Sequence, residues 1–203
     1  MSSHKTLSYY NDNARTFAER TLNVDFSVIQ NRFLDQLPDG AFILDFGCGI
    51  GRDTRYFADR GYQVEAVDGS EELCRLAREH TGMEVKCMLF QELQAENKYD
   101  AVWACSSILH LPYDELISVL NKVARSLKEE GLLYTCFKYG TEEGIRNGRY
   151  FTDLTEEKLS ELLCEIPQLQ MEEQWITSDV RPERDEEKWL NVFLRKKRSE
   201  ISI

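Results

Sequence analysis

Long hydrophobic runs are missing from this 203-residue chain: no apolar stretch approaches the roughly 20 residues a membrane-spanning helix needs. The opening MSSHKTLSYYNDNAR likewise lacks the apolar core of a secretory signal. A basic excess is missing too. Lys and Arg number 25 against 36 Asp and Glu, for a net charge of −11. That balance argues against a nucleic-acid partner held through phosphates and against docking on anionic membranes. Histidine is scarce, with only His4, His80 and His110, and none of the six cysteines (Cys48, Cys74, Cys87, Cys105, Cys136, Cys164) forms a CxxC pair. No metal centre is therefore expected. Several cysteines sit in apolar runs, where a thiol behaves as a small buried hydrophobe, so reduced thiols in a cytoplasmic protein are expected.

What the chain does have is a regular alternation of apolar strands and amphipathic helices. Helices are predicted over Ser8 to Leu22 and Phe26 to Leu37, the second closed by Pro38-Asp39-Gly40. AFILDF reads as a buried parallel strand. A helix follows from Arg52 to about Arg60 with Gly61 as its cap, and YQVEAVD is the second strand. Ser70 caps a helix to His80 that Gly82 stops. MEVKCMLF, YDAVWACSS and GLLYTCFKY are the next three strands, with a helix from Asp114 to Leu127 before the last of them. GTEEGIRNGRYF reads as a polar loop, and Leu154 to Cys164 as the last long helix, with Thr155 as its candidate N-cap. MEEQWIT and KWLNVFLRK, with no helix between them, are expected to form an antiparallel pair at one sheet edge. The fold class is α/β with a mostly parallel sheet in one domain. Residues 1–38 form a helical leader and lid, residues 39–198 the core.

The strongest local signal is ILDFGCGIGRDT. A strand ends at Asp45-Phe46, Gly47, Gly49 and Gly51 follow, and a helix opens. Glycines allow a sharp turn and close approach of a ligand, and the amides at the helix start suit a carboxylate or other polar group. Cys48, Arg52 and Asp53 in this junction are counted with the cofactor-binding residues. Asp68 ends the next strand about 20 residues on, where an acid points at a ribose diol. A dinucleotide site would need GxGxxG, but Arg52 stands where its third glycine belongs. Asp45 at the lip would repel a pyrophosphate and attract an α-ammonium. Ribose at one end and an amino acid at the other describe S-adenosylmethionine.

ILDFGCGIGRDT, VEAVDGS, YDAVWACSSILHL and LKEEGLLYTCFKY, in this order, resemble the motifs of class I methyltransferases. With SYYNDNARTFAERT and the tail from RYFTDLTEEKLSELL to WLNVFLRK, the chain is most similar to small bacterial methyltransferases of the tellurite-resistance-like type. The resemblance implies a Rossmann-like three-layer sandwich whose seven-stranded sheet has an antiparallel last strand. It implies S-adenosylmethionine as cofactor, with Gly47, Gly49 and Gly51 along the methionine part and Asp45 near its amino group. It places Asp68 on the ribose, Gly69 and Ser70 beside the adenosine, and Leu89, Phe90 and Gln91 along the adenine. Ala104, Cys105 and Ser106 would lie under the sulfonium. Where many relatives have an acid near Leu89 for the adenine amino group, this chain has only Gln91 or Glu92 nearby.

The acceptor is expected over the C-terminal ends of the fourth and fifth strands, beneath the leader. His110 is a candidate base, or else a residue that packs against the next helix. Lys138, Arg149 and Arg181 come from different elements and are expected to converge on one rim, unless each is an ordinary surface charge. Arginine forks suit oxyanions, so a small anionic or oxyanion-bearing acceptor is expected. Tyr9 and Tyr10 form an aromatic lid or pack as any helix would; Tyr10 is counted with the cofactor contacts, and Tyr139 and Trp189 are further candidates. The run Arg195-Lys196-Lys197-Arg198 reads as a solvated tail. RNA or protein methylation, or cofactor binding without turnover, are the alternatives. A monomer or homodimer is expected.

Overall fold

The computed structural model describes residues 2–181, 184 and 186–198. In chain order the elements are α1 (Ser2–Thr21), α2 (Ser27–Leu34), β1 (Phe42–Phe46), α3 (Arg52–Ala58), β2 (Gln63–Asp68) and α4 (Glu71–Thr81). Next come β3 (Val85–Cys87), β4 (Tyr99–Ala104), α5 (Tyr113–Ser126), β5 (Leu127–Lys138), β6 (Glu143–Arg146) and β7 (Arg149–Thr152). The chain closes with α6 (Glu156–Cys164), β8 (Leu169–Ser178) and β9 (Lys188–Lys196).

β1 shows why the sheet needs cover on both faces. Successive side chains point to opposite sides, and all but the first are buried. Ile43 joins Phe33, Phe57, Trp103 and Tyr134 on one face. Leu44 and Phe46 join Val102, Leu116 and Leu162 on the other. Helices α2 and α3 thus cover one side, and α5 and α6 the other, giving three layers. Trp103 and Tyr134 stack at 4.2 Å between centroids, a contact between neighbouring strands that adds about 1 kcal/mol beyond buried area.

The seven strands run in the order β3-β2-β1-β4-β5-β9-β8. β1 to β5 pair in parallel, while β9 is antiparallel to both β5 and β8. This is the expected Rossmann-like sheet with its antiparallel last strand. The order reverses between β1 and β4, so a crevice opens at the C-terminal ends of these strands. Among the described residues, no helix is long and apolar enough to cross a membrane.

Several local expectations change. The segment GTEEGIRNGRYF is a hairpin, β6 and β7, because Asn147 and Gly148 take φ of 49° and 80° at its tip. Asn-Gly is the preferred pair for this mirror-image turn. β3 is only three residues long, since Glu92 accepts the Leu89 N–H at 2.7 Å and curls the chain into a short turn. Gly61 lies beyond the cap of α3, which is Asp59. α5 passes straight into β5 at Leu127, and the chain irregularity before Gly131 is absorbed as a shift in the β4–β5 register. Arg195 and Lys196 belong to β9 and are not a solvated tail. Lys196 Nζ donates to the Leu127 carbonyl at 2.7 Å and to Asn97 at 2.9 Å. Of the leader, α1 alone lies over the crevice, whereas α2 seats Ile29 and Phe33 in the core.

Candidate active site

One large cavity occupies the crevice. The loops after β1, β2, β3 and β4 line it with Lys138 at the end of β5, and α1 covers it through Thr6, Leu7, Tyr10, Phe17 and Thr21. α1 is held there by contacts with α4 and β7. Ala14 is buried with Ile50 and Leu73, and Ser70 Oγ donates to Asn11 at 2.7 Å.

The glycine loop turns where the sequence demands it. Gly47 has φ of 91°, and a Cβ there would lie 2.4 Å from Ser107 Cβ, so no larger residue fits. Gly47 and Cys48 both donate to the Val67 carbonyl at 2.9 Å, which ties the loop to β2. Asp68 accepts from Gly49 N at 2.9 Å and from Ser70 N at 2.8 Å. Burial lifts its carboxyl to about 6, while these amides pull the other way. Gly49, Asp68 and Gly69 line the cavity together.

The two other acids of this region have different surroundings. Asp45 is buried behind the loop, accepts from Thr54 Oγ1 at 2.5 Å and does not line the cavity. Burial, reinforced by Asp53, pushes its carboxyl well above the ordinary range. Asp53 lines the cavity, but its oxygens accept from Gln30 at 2.7 Å, Trp103 at 2.8 Å and Arg52 at 2.7 Å and 3.0 Å. It clamps α2 and β4 to the start of α3. Arg52 lines the cavity with its guanidinium also 4.9 Å from the centre of the Phe26 ring.

Leu89, Phe90 and Gln91 line the wall beside Gly69. The Gln91 amide donates to Glu115 at 2.6 Å, and Glu92 is engaged by Leu89 N, so both polar candidates for the adenine edge already have partners. Cys105 and Ser106 line the floor, with Ser106 N donating to Cys136 Sγ at 3.2 Å. Ser70 and Ala104 do not reach the cavity: Ser70 is turned into the α4 cap, and Ala104 is buried in the core.

In the same cavity, the Tyr10 hydroxyl donates to His110 Nε2 at 2.8 Å. His110 Nδ1 lies 2.6 Å from the Tyr150 carbonyl, which only accepts, so Nδ1 carries the ring proton and Nε2 the lone pair. Burial, with Arg149 and Lys138 nearby, holds the imidazole down to about 4 against the pull of that carbonyl. Burial also raises the Tyr10 hydroxyl, with Arg149 opposing.

Lys138, Arg149 and Arg181 all line the cavity, as expected, but they are not equivalent. Lys138 pairs with Glu187 at 2.5 Å, and Arg181 forks onto Asp179 at 2.5 Å and 2.8 Å. Arg149 has no carboxylate partner among the described residues, and its Nε is buried without a hydrogen bond. It lies against Tyr9, Phe151 and Tyr10, 4.8 Å, 5.1 Å and 5.8 Å from their ring centres. Tyr139 points away, donating to Glu156 at 2.8 Å.

Sequence reading missed Phe17, Phe26, Phe151, Asp179 and Asn191 as lining residues. Phe17 and Phe26 read as apolar positions of predicted helices and Phe151 as the end of a polar loop, and Asp179 and Asn191 come from the β8–β9 pair and its connection, whose position against the cavity follows from the sheet order alone. Gln30 and Trp103 gave no signal as partners of Asp53.

A sequence model described as a methyltransferase domain matches residues 43–131. The ubiquinone biosynthesis O-methyltransferase of Xanthomonas axonopodis pv. citri is 34% identical over 104 residues, 48% of this chain and 43% of that one. The chain thus spans less than half the length of the curated relatives it matches. The fold matches 1,6-didemethyltoxoflavin-N1-methyltransferase from Burkholderia thailandensis, solved with 1,6-didemethyltoxoflavin and S-adenosylhomocysteine bound, at TM-score 0.73 and 24% identity, covering 95% of this chain and 85% of the other. It also matches a TehB-like S-adenosylmethionine-dependent methyltransferase from Corynebacterium glutamicum at TM-score 0.69 and 20% identity, covering 96% and 99%. The chain has the fold of class I S-adenosylmethionine-dependent methyltransferases, and its residues 43–131 match the methyltransferase-domain model.

Proposed function

We propose that this chain transfers a methyl group from S-adenosylmethionine to a small-molecule acceptor bearing an anionic group. The observation that carries the reading is one cavity lined together by the glycine loop, Asp68, Tyr10 and His110, with Tyr10 and His110 hydrogen-bonded to each other. The residues suit the cofactor. Asp68 faces the cavity with lone pairs beyond those used by Gly49 and Ser70, enough to accept two ribose hydroxyls. Arg52 at the start of α3 matches the methionine carboxylate. Phe90 and Leu89 offer an apolar wall to the adenine. Asp45, set behind the loop with its carboxyl raised by burial, meets the amino group through water as a hydrogen-bonding partner.

When bound, the cofactor supplies an electrophilic methyl group on a sulfonium. The chain holds the acceptor in line with it, under α1, and keeps water out. For a protonated O–H or N–H acceptor, the Tyr10 oxygen accepts the acceptor's proton as its own passes to His110 Nε2. The new bond joins the acceptor atom to the methyl carbon, the carbon–sulfur bond breaks, and the imidazolium later returns its proton to solvent. Tyr10 touches the acceptor in this scheme, and the Tyr150 carbonyl fixes the tautomer that makes Nε2 the receiving atom. The structural neighbour from Burkholderia thailandensis binds 1,6-didemethyltoxoflavin, likewise a small molecule.

The test uses purified protein, methyl-labelled S-adenosylmethionine, and a desalted cell extract restored with its small-metabolite fraction. Label recovered in the small fraction is the expected result. Label in RNA or protein would replace the acceptor class, and absence of any S-adenosylhomocysteine would leave a binding protein without turnover.

A further inference from the structure

Among the described residues five cations line the cavity, and four already have a carboxylate. Arg52 has Asp53 at 2.7 Å, Lys138 has Glu187 at 2.5 Å, Arg181 has Asp179 at 2.5 Å, and Arg184 has Glu187 at 3.2 Å. Arg149 has none among the described residues. Its Nε is buried with no partner, and among the described residues its guanidinium makes one hydrogen bond, a long one from Nη1 to the Tyr10 hydroxyl at 3.4 Å. A guanidinium has five donors, so this one is left largely unmatched in a part-buried, aromatic-walled space. Such a charge is costly unless something brings it an acceptor.

Its neighbours restrict what that acceptor is. Phe151 is buried against His110, ring centroids 4.7 Å apart, and Trp189 lines the same end of the cavity. These walls suit a flat ring. The Tyr10 oxygen, which would take the proton of the reacting atom, is the atom that Arg149 touches. Two ligand atoms bonded to protein atoms 3.4 Å apart lie about 3 Å from one another when their hydrogen bonds run side by side. That is the spacing of substituents on neighbouring ring positions, not on opposite ones.

We propose that Arg149 anchors the acceptor, and that the acceptor is a small aromatic or heteroaromatic anion whose oxyanion sits next to the O–H or N–H that becomes methylated. The inference rests on the methyl-transfer reading and gives its substrate class. It also links anchoring to chemistry. An oxyanion on Arg149 offsets part of the positive field that helps hold His110 down, so a bound anion makes Nε2 a better proton acceptor than it is in the empty cavity. Lys138 and Arg181 are then rim residues whose charge their own carboxylates balance.

Calorimetric titration tests this on protein first loaded with S-adenosylhomocysteine. The probes are 2-hydroxybenzoate, 4-hydroxybenzoate and the uncharged 2-hydroxybenzamide, against wild type, Arg149→Met and Arg149→Lys. The expected result is binding of 2-hydroxybenzoate at least tenfold tighter than either other probe. Arg149→Met should lose this preference and Arg149→Lys should keep part of it, both with unchanged affinity for S-adenosylhomocysteine. Equal binding of the acid and the amide, an unaffected Arg149→Met variant, or no binding of 2-hydroxybenzoate to loaded protein would overturn the inference. Failure to load S-adenosylhomocysteine at all would instead strike the methyl-transfer reading itself.

Discussion

The Tyr10 hydroxyl lies 2.8 Å from His110 Nε2, although 100 positions separate the two residues in the chain. The bond joins the covering helix to the turn after β4. Closure of the cavity and assembly of the proton-accepting pair are therefore one event: His110 has no tyrosine on it unless α1 is in place.

Removing that hydroxyl separates the two roles. Tyr10→Phe keeps the ring that packs against Phe17 at 5.2 Å and deletes only the proton path. With the acceptor found by methyl labelling, kcat should fall on the order of 100-fold while affinity for S-adenosylhomocysteine holds. An unchanged kcat would take Tyr10 out of the chemistry.

Asp68 gives cofactor binding a pH signature. Burial raises its carboxyl to about 6, and hydroxyl donors of a ribose bind the ionised form. Affinity for S-adenosylhomocysteine should be flat above about pH 7 and weaken as pH falls through 6, approaching tenfold per unit below it. The folding contribution has the opposite sign. The raised value favours the folded state at low pH, and this stabilisation is lost as pH rises through about 6. Calorimetry between pH 5 and 8 reads the binding arm, and affinity independent of pH would contradict it.

At Gly47 a methyl group meets Ser107 Cβ at 2.4 Å, with φ at 91°. Gly47→Ala should cost about 1–3 kcal/mol and displace the loop. Gly82 is also left-handed, at 69°, but its Cβ would face open space. Gly82→Ala thus isolates the backbone strain, and thermal melts should show it as the milder change. Cofactor affinity should suffer only at Gly47.

Lys196 supplies a stability test away from the cavity. Its ammonium caps the Leu127 carbonyl at the start of β5 and reaches Asn97, and the residue is buried. Lys196→Met leaves that carbonyl short of a donor, for a loss of about 1–3 kcal/mol in denaturant melts. Affinity for S-adenosylhomocysteine should not move.

The fold was legible because its signals are local and repeated. Apolar runs such as AFILDF, the caps at Ser70 and Thr155, and the glycine loop are all short-range patterns, and Ser70 Oγ and Thr155 Oγ1 do accept from Leu73 N and Lys158 N. The β6–β7 hairpin was missed because polar residues hid its alternation, although Asn147-Gly148 was there to be read. The site was legible at its cofactor end, where spacing along the chain fixes the geometry. At the acceptor end, sequence brought Lys138, Arg149 and Arg181 to one rim but not their partners. Which cation remains without a carboxylate depends on Asp179 and Glu187, and their placement is a property of the folded sheet. Asp45 shows the same limit: its position in the motif is unmistakable, but only packing puts it behind the loop.

The most direct measurement is calorimetric titration of wild type and Asp68→Ala with S-adenosylhomocysteine. One site per chain is expected, with the variant weaker by about 1.5–3 kcal/mol, roughly 10- to 150-fold, because charge-assisted hydrogen bonds to the ribose are lost. No binding by wild type, or equal affinity in a folded Asp68→Ala variant, would contradict the assignment of this cavity to the cofactor.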